Sequence, residues 1–570
     1  MSSGASADTI LYNGTVLTVD ARSSVADSVA IKRDRILAVG RYQAITPLRG
    51  KDTRLIDLEG GTAIPGMIDN HTHQLLAGID LIPAGKVNIA HCQSIAQIKS
   101  LIAARVKGRT PGEWIGTSCM FRGALAEKRF PNRFDLDEVA PDNPVYIFQS
   151  GKNIIANSLA LKIADINDET PDPTGPDYSA GHIVRDADKH ATGHLIAGAG
   201  DLARRRWWQA QGQSMQKWDF LHFDQSTYEA AILAQMQVFN AAGITGTRDM
   251  GVSIPEMDGY RGIAAKGTAT VRTELIVGLP IRYVPLDEAE SLIEAYDGPK
   301  QGEGNDLAWV GGFKFVLQND GYWSHSPEKF RRLIRTANRL GWRLAIHGAA
   351  VHDQTGWDRI MEALEEANAE RPFFGRRISL EHFIGTRRPE HLQKLRDWGV
   401  IIAPNPSLSY FAAGRSYEMH KVMQEVRIAQ PSSMTPMEHA RHEWGLPIRD
   451  WIDSGLKVTG GTDCPATTYD PERPLLGMYA ARTQQSLAGV LLHDQTVSPE
   501  EALRMWTIDA AYSLFKEDQV GSIEPGKFAD ITVLTGNPLT SSDEGLLDIR
   551  IRRTIMGGRV VYHSAPDADS

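Results

Sequence analysis

Five apolar, β-rich runs in this chain each carry, at or near their end, a side chain that suits a metal site. The first is Ile64-Pro65-Gly66-Met67-Ile68-Asp69-Asn70-His71-Thr72-His73. Residues i and i+2 of a strand project to the same side, so His71 and His73 can chelate one ion from one face. A lone His-x-His pair arises by chance in long chains, but here the design recurs. The run from Trp309 to Val316 carries Lys314, and the run from Trp342 ends in His347. The run from Arg377 ends in His382, and the run from Leu456 ends in Asp463. The intervals from Lys314 to His347 and from His347 to His382 each have room for one strand, one helix and two loops. That is the pitch of a βα repeat. In a (β/α)8 barrel the C-terminal strand ends converge on one mouth, where active sites are built.

Composition agrees with a large globular enzyme. At 570 residues the chain exceeds the usual limit of a single core, so two or three domains are expected. A net charge of −9 argues against nucleic acid or an anionic membrane as partner. Three cysteines, Cys92, Cys119 and Cys464, form no disulfide framework and fit a reducing compartment. The segment from Met1 to Thr9 lacks the basic and apolar parts of a signal peptide. No run approaches the ~18 apolar residues of a membrane span. These features predict a cytoplasmic protein with no nucleic-acid or membrane partner; a small-molecule substrate and a homo-oligomeric assembly, dimer or tetramer, are expected alongside, though no sequence feature sets the oligomeric state.

Organisation along the chain is uneven. The first ~60 and last ~50 residues alternate with short turns, as β subdomains do. Ser498-Pro499 opens a helix with an N-cap serine and a proline at its first position. A βα unit takes roughly 30 residues, yet the next barrel strand after His73 is Ile244-Thr245-Gly246-Thr247-Arg248-Asp249. An insertion at about 85–225 is therefore predicted from that pitch. Its turn-rich hairpin patches, Pro131 to Ser150 and Asp172 to Leu195, read as a small β-rich lid; a structural ornament is the alternative.

The order His-x-His, Lys, His, His, Asp on successive strand ends closely resembles the metal-dependent amidohydrolase superfamily. The opening Ile10-Leu11-Tyr12-Asn13-Gly14 and the closing Gly521-Ser522-Ile523-Glu524-Pro525-Gly526-Lys527-Phe528-Ala529-Asp530 add to the likeness. Asn157-Ser158-Leu159-Ala160-Leu161, Pro171-Asp172-Pro173-Thr174-Gly175 and His182-Ile183-Val184-Arg185-Asp186 resemble the branch containing N-substituted formamide deformylases (amidohydrolase family 3). The resemblance implies an α/β fold: a TIM-like (β/α)8 barrel over residues 63–514, carrying the insertion. Residues 1–62 and 515–570 would form the two halves of a composite β-sandwich.

The resemblance also implies a ligand set. His71, His73 and Asp463 would hold one metal, and His347 and His382 a second. Lys314 would bridge them as a carbamate formed with CO₂. The donors suit one or two Zn²⁺, with Mn²⁺ possible. The implied reaction is hydrolysis of a non-peptide C–N bond, in an N-substituted amide or formamide, by metal-activated hydroxide, with Asp463 as general base and then acid. A related hydrolase of esters, lactones or cyclic imides is the alternative, and a non-catalytic metal-binding assembly protein a third. A solvated surface role for Lys314 conflicts with its place inside an apolar strand.

The chain also departs from the branch. Ser150-Gly151-Lys152 stands where the branch carries a histidine, so Lys152 is a candidate partner for a substrate carboxylate, or a solvated lysine. No short acidic turn follows Lys314; instead comes Leu317-Gln318-Asn319-Asp320-Gly321-Tyr322-Trp323-Ser324-His325. Tyr322 is a candidate substrate contact or a packing residue. His325 and His352 are extra histidines near the expected mouth.

Overall fold

The computed structural model describes the chain apart from residues 1–5, 119–124, 128, 149–152, 175–179, 213–222, 317, 320–321, 324, 349–353, 383–385, 426–433, 466–472 and 565–570. Its centre is a curled, wholly parallel sheet of eight strands whose spatial order follows the chain. These are β1 Met67–Thr72, β2 Ile244–Val252, β3 Arg272–Val277, β4 Ala308–Val316, β5 Leu344–His347, β6 Ser379–Glu381, β7 Ile401–Ala403 and β8 Lys457–Val458. Helices cover the sheet, so its strands are buried on both faces, and all nine residues of β2 and of β4 are buried. The helices begin where local chemistry dictates. Ser326 accepts from the Lys329 N–H ahead of Pro327–Arg339, and Ser498 with Glu501 forms a capping box on Pro499–Met505.

The run ending in Asp463 is less regular than its sequence suggests. Only Lys457–Val458 pairs as strand, against β7. Beyond it the chain turns to β1: Asn70 N–H donates to Gly460 O at 3.1 Å and Asp463 N–H to His71 O at 2.8 Å. Gly461 permits that approach, since a Cβ there would lie 2.3 Å from Asn405 Oδ1.

The chain ends meet in one sheet. Ile531–Leu534 pairs antiparallel with Thr62–Pro65, and the six-stranded sheet also holds Thr15–Leu17, Val25–Ala26, Ile551–Met556 and Arg559–His563. Leu11, Val29, Ile56, Ile531 and Ile555 share one apolar cluster, which joins this sheet to a four-stranded one made of Ala7–Tyr12, Ser28–Lys32, Arg35–Gly40 and Arg49–Asp57.

Between β1 and β2 lies a five-stranded sheet of Ile115–Gly116, Val145–Phe148, Ile154–Ala156, Gly181–Arg185 and Ala191–Ala197. Gly181–Arg185 and Ala191–Ala197 form a hairpin. Pro131 to Ser150 does not: it contains the helix Arg133–Asp137 followed by a strand. Asn132 caps that helix in a reciprocal box with Asp135, a polar signal that outweighs the turn-like composition. Among the described residues, no helix is long and apolar enough to cross a membrane. Cys92 and Cys464 are buried free thiols, and Cys119 lies outside the described residues.

Candidate metal centre

The C-terminal ends of β1, β4, β5 and β6 and the segment after β8 bring together the polar side chains singled out above. Asp463 is the hub. Its Oδ1 lies 3.4 Å from His71 Nε2 and 3.4 Å from His73 Nε2, and its Oδ2 lies 3.7 Å from His382 Nε2. Lys314 Nζ is 3.4 Å from His71 Nε2. The His347 ring centroid stands 4.6 Å from that of His382, so the second strand-end pair adjoins the first group. Among the described residues, His71, His382 and Asp463 can each turn one ligand atom to within 4.8 Å of the others.

Other side chains set how the imidazoles point. His71 Nδ1 is 2.7 Å from Glu381 Oε2, His73 Nδ1 2.9 Å from Met250 O, and His382 Nδ1 2.8 Å from Asn405 Nδ2. Each ring is thus tied at Nδ1 and turns Nε2 toward Asp463. His71 and His73 do so by donating to an oxygen, the arrangement by which outer groups orient metal-ligating histidines, whereas His382 Nδ1 accepts from the Asn405 amide. His382, Asn405 and Asp463 all adopt left-handed backbone, with φ of 51°, 55° and 57°. Non-glycine residues there cost about 1–3 kcal/mol each and tend to cluster at functional sites.

Electrostatics reinforce the geometry. Burial, then the Lys314 ammonium and the neighbouring imidazoles, holds His71 well below the usual histidine range. Burial and the adjoining His71 and His347 do the same to His382. Both rings are therefore neutral, the form that donates a lone pair to a metal. Burial lowers Lys314 to about 8 against the pull of Glu381 and Asp463. Burial raises Asp69 to about 7, despite hydrogen bonds to its carboxylate from Thr462 N–H at 3.0 Å and Thr462 Oγ1 at 2.6 Å. Asp69 so joins β1 to the residue before Asp463.

Sequence reasoning missed the supports. Glu381 accepts from Arg248 Nη1 at 3.2 Å, Arg248 Nε donates to Glu274 Oε2 at 2.8 Å, and Glu274 also holds Arg343 Nη1 at 2.9 Å. All four side chains are buried inside the sheet. Their signal was available: charged residues inside β-rich runs, Ser379 and Glu381 on one strand face, and Asn405 between two prolines. Lys152, His352 and the side chain of Tyr322 lie outside the described residues. His325 is buried and lines a cavity with Lys314.

Parallel strands delivering histidines and an aspartate to one end define a metal-hydrolase type of α/β protein. The pattern of the amidohydrolase family matches residues 54–562, and the chain belongs to that family; it is a metal-dependent hydrolase of non-peptide C–N bonds. It is 27% identical to the N-substituted formamide deformylase of Arthrobacter pascens, over 97% of this chain and 98% of that protein. It is 25% identical to the putative amidohydrolase YtcJ of Bacillus subtilis, over 98% and 99%. A metal-dependent hydrolase of Pyrococcus horikoshii shares its fold with a TM-score of 0.65 at 17% identity, over 94% of this chain and 99% of that one. The zinc complex of atrazine chlorohydrolase TrzN from Arthrobacter aurescens aligns at 0.50 and 16% identity, over 98% and 97%.

Proposed function

We propose that this hydrolase is a zinc enzyme that cleaves an N-substituted amide or formamide. One observation carries the reading: three imidazoles tied back at Nδ1 turn their Nε2 atoms to Asp463, with Lys314 beside them. End-to-end similarity to a formamide deformylase supports the amide class. The proposal includes closure of the parallel sheet into a barrel where Asp463 and Gly460 bond to β1, over domain boundaries 1–62, 63–514 and 515–570, and a cytoplasmic location.

The donor set fits a metal, because His71 and His73 each donate from Nδ1 to an oxygen and so turn an Nε2 lone pair toward Asp463. His71, His73 and Asp463 would hold one ion and His347 and His382 a second, with a carbamate on Lys314 between them. When bound, zinc supplies Lewis acidity toward a carbonyl and a water acidified to near neutral pH. Lys314, lowered to about 8, keeps a fraction of free amine. That amine adds to CO₂ and releases one proton, replacing an ammonium among imidazoles by an anion. Asp463 takes a proton from the attacking water and passes it to the leaving nitrogen. Glu381 and Asn405 hold the rings while it does so.

Zinc-loaded protein assayed against formanilides, acylated amines and lactones tests the reading. Release of free amine is the expected result. Turnover of lactones alone would replace the amide class by the ester class.

A further inference from the structure

The loop after β3, residues 278–284, is clamped from two sides, and one of the clamps is the insertion. Helix Gly198–Ala210 of the insertion offers Asp201, whose Oδ1 lies 2.6 Å from Arg282 Nη2. Arg204, one turn on, donates to Tyr283 Oη at 3.3 Å. The Tyr283 ring meets Trp208 edge to face at 5.3 Å and belongs to the apolar core of the insertion, with Tyr146 and Trp207. Asp201, Arg204, Arg282 and Tyr283 are all buried. From the opposite side, Lys329, fully buried on Pro327–Arg339, donates through Nζ to Val284 O at 2.5 Å. A loop that places a tyrosine in one domain's core, while Ile281 and Val284 join another's, has little freedom to shift.

That loop walls a narrow cavity. Leu279, Ile281, Tyr283 and Val316 line it together with Lys314 and His325, around about 20 Å³ of space that is partly open to solvent, room for one small group. The lining is apolar apart from a few polar groups at the reacting end, the composition of a small-molecule site. Arg282 also borders it, but its charge is answered by Asp201. The cavity therefore does not select an anion.

We propose that this slot is the specificity site for a compact apolar substituent of the scissile amide, and that the insertion sets its width through Asp201 and Tyr283. The proposal rests on the amidohydrolase reading above and deepens it. Asp201 and Tyr283 are positioning residues; Ile281 and Leu279 touch the substituent. The insertion is thus a wall of the active site and not an ornament.

The test separates binding from turnover. Calorimetry on zinc-loaded protein measures the affinity of straight-chain amides from acetamide to hexanamide, with Asp463→Asn in every protein compared, the otherwise wild-type chain included, so that bound amide is not hydrolysed. In the wild type, affinity should peak at one chain length. Ile281→Ala should move the peak to a longer amide and Ile281→Phe to a shorter one, by ~10-fold or more for the methylene concerned. Asp201→Asn, checked for native circular dichroism, should broaden the same peak, and in turnover should raise KM more than it lowers kcat. Identical length profiles for wild type and both Ile281 variants would overturn the proposal, whatever Asp201→Asn does. A shifted profile without hydrolysis of any amide would keep the slot and refute the amidohydrolase reading instead.

Discussion

The two ends of the parallel sheet hold buried charge in opposite ways. At the N-terminal end, Arg272 on β3 meets Asp530 through Nε at 2.7 Å and Nη2 at 3.2 Å, and Asp530 Oδ1 also takes the Gly557 N–H. Arg272 and Arg35 place their guanidinium groups 3.7 Å and 3.5 Å from the ring centroid of Phe528, joining the sheet to the chain's last segment. At the C-terminal end, four histidines and a lysine crowd around one aspartate, and burial drives His71, His382 and Lys314 toward their neutral forms. Matched charge builds structure. Basic groups in excess of their acidic partners leave lone pairs directed at a common point, which is what a cation and a substrate require.

Substitutions at the two ends should therefore fail differently. Asp463→Asn keeps a donor oxygen but cannot accept a proton, so turnover should drop by roughly 10²–10⁴-fold. Metal content, measured by mass spectrometry, should fall little. Lys314→Ala should lose metal as well as rate, with short carboxylic acids restoring both; an Asp463→Asn protein with near-wild-type turnover would remove the contrast altogether.

The opposite signature belongs to the other end. Arg272→Met strands the Asp530 carboxylate in a buried site, a loss of about 3–5 kcal/mol by the usual cost of breaking such a pair. Denaturant titration should register that loss while kcat/KM of the folded fraction stays unchanged. A fall in kcat/KM would mean that the two ends are not independent.

A smaller effect is expected from the groups behind the ligands. Glu381→Gln weakens the hold on His71 Nδ1 and leaves Arg248 without its second carboxylate. Metal affinity, read by competition with a chelator, should fall about 10–100-fold.

A further effect is in pH. Lys314 is held at about 8 in the folded chain against 10.5 as its ordinary value. Between these values the unfolded chain binds more protons, so the stability of metal-free protein should rise with pH above about 8. Calorimetric melting should show that slope, and Lys314→Met should remove it.

The parts of the centre legible in sequence were those marked by strand periodicity. His71 and His73 share a face because they lie two apart, and Lys314, His347 and His382 fall at or near strand ends because β4, β5 and β6 recur at the βα pitch. Asp463 was legible as a residue but not as a position. Its strand stops at Val458, and the following residues bond to β1 across the sheet, where local pattern carries no information. The helix Arg133–Asp137 was missed for the converse reason: the cap at Asn132 is local, but a turn-rich composition hid it.

Sequence alone determined the donor types, their order and the recurrence that lets distant residues meet. Only the tertiary structure decided which nitrogen of His71, His73 and His382 turns inward, that Glu381 and Arg248 stand behind His71, and that Tyr283 ties the loop after β3 to the insertion. The physical reason is the range of the forces involved. Strand and helix periodicity repeat within a few residues and are written into the order of side chains. Desolvation and paired charge arise only when segments hundreds of residues apart close out water together.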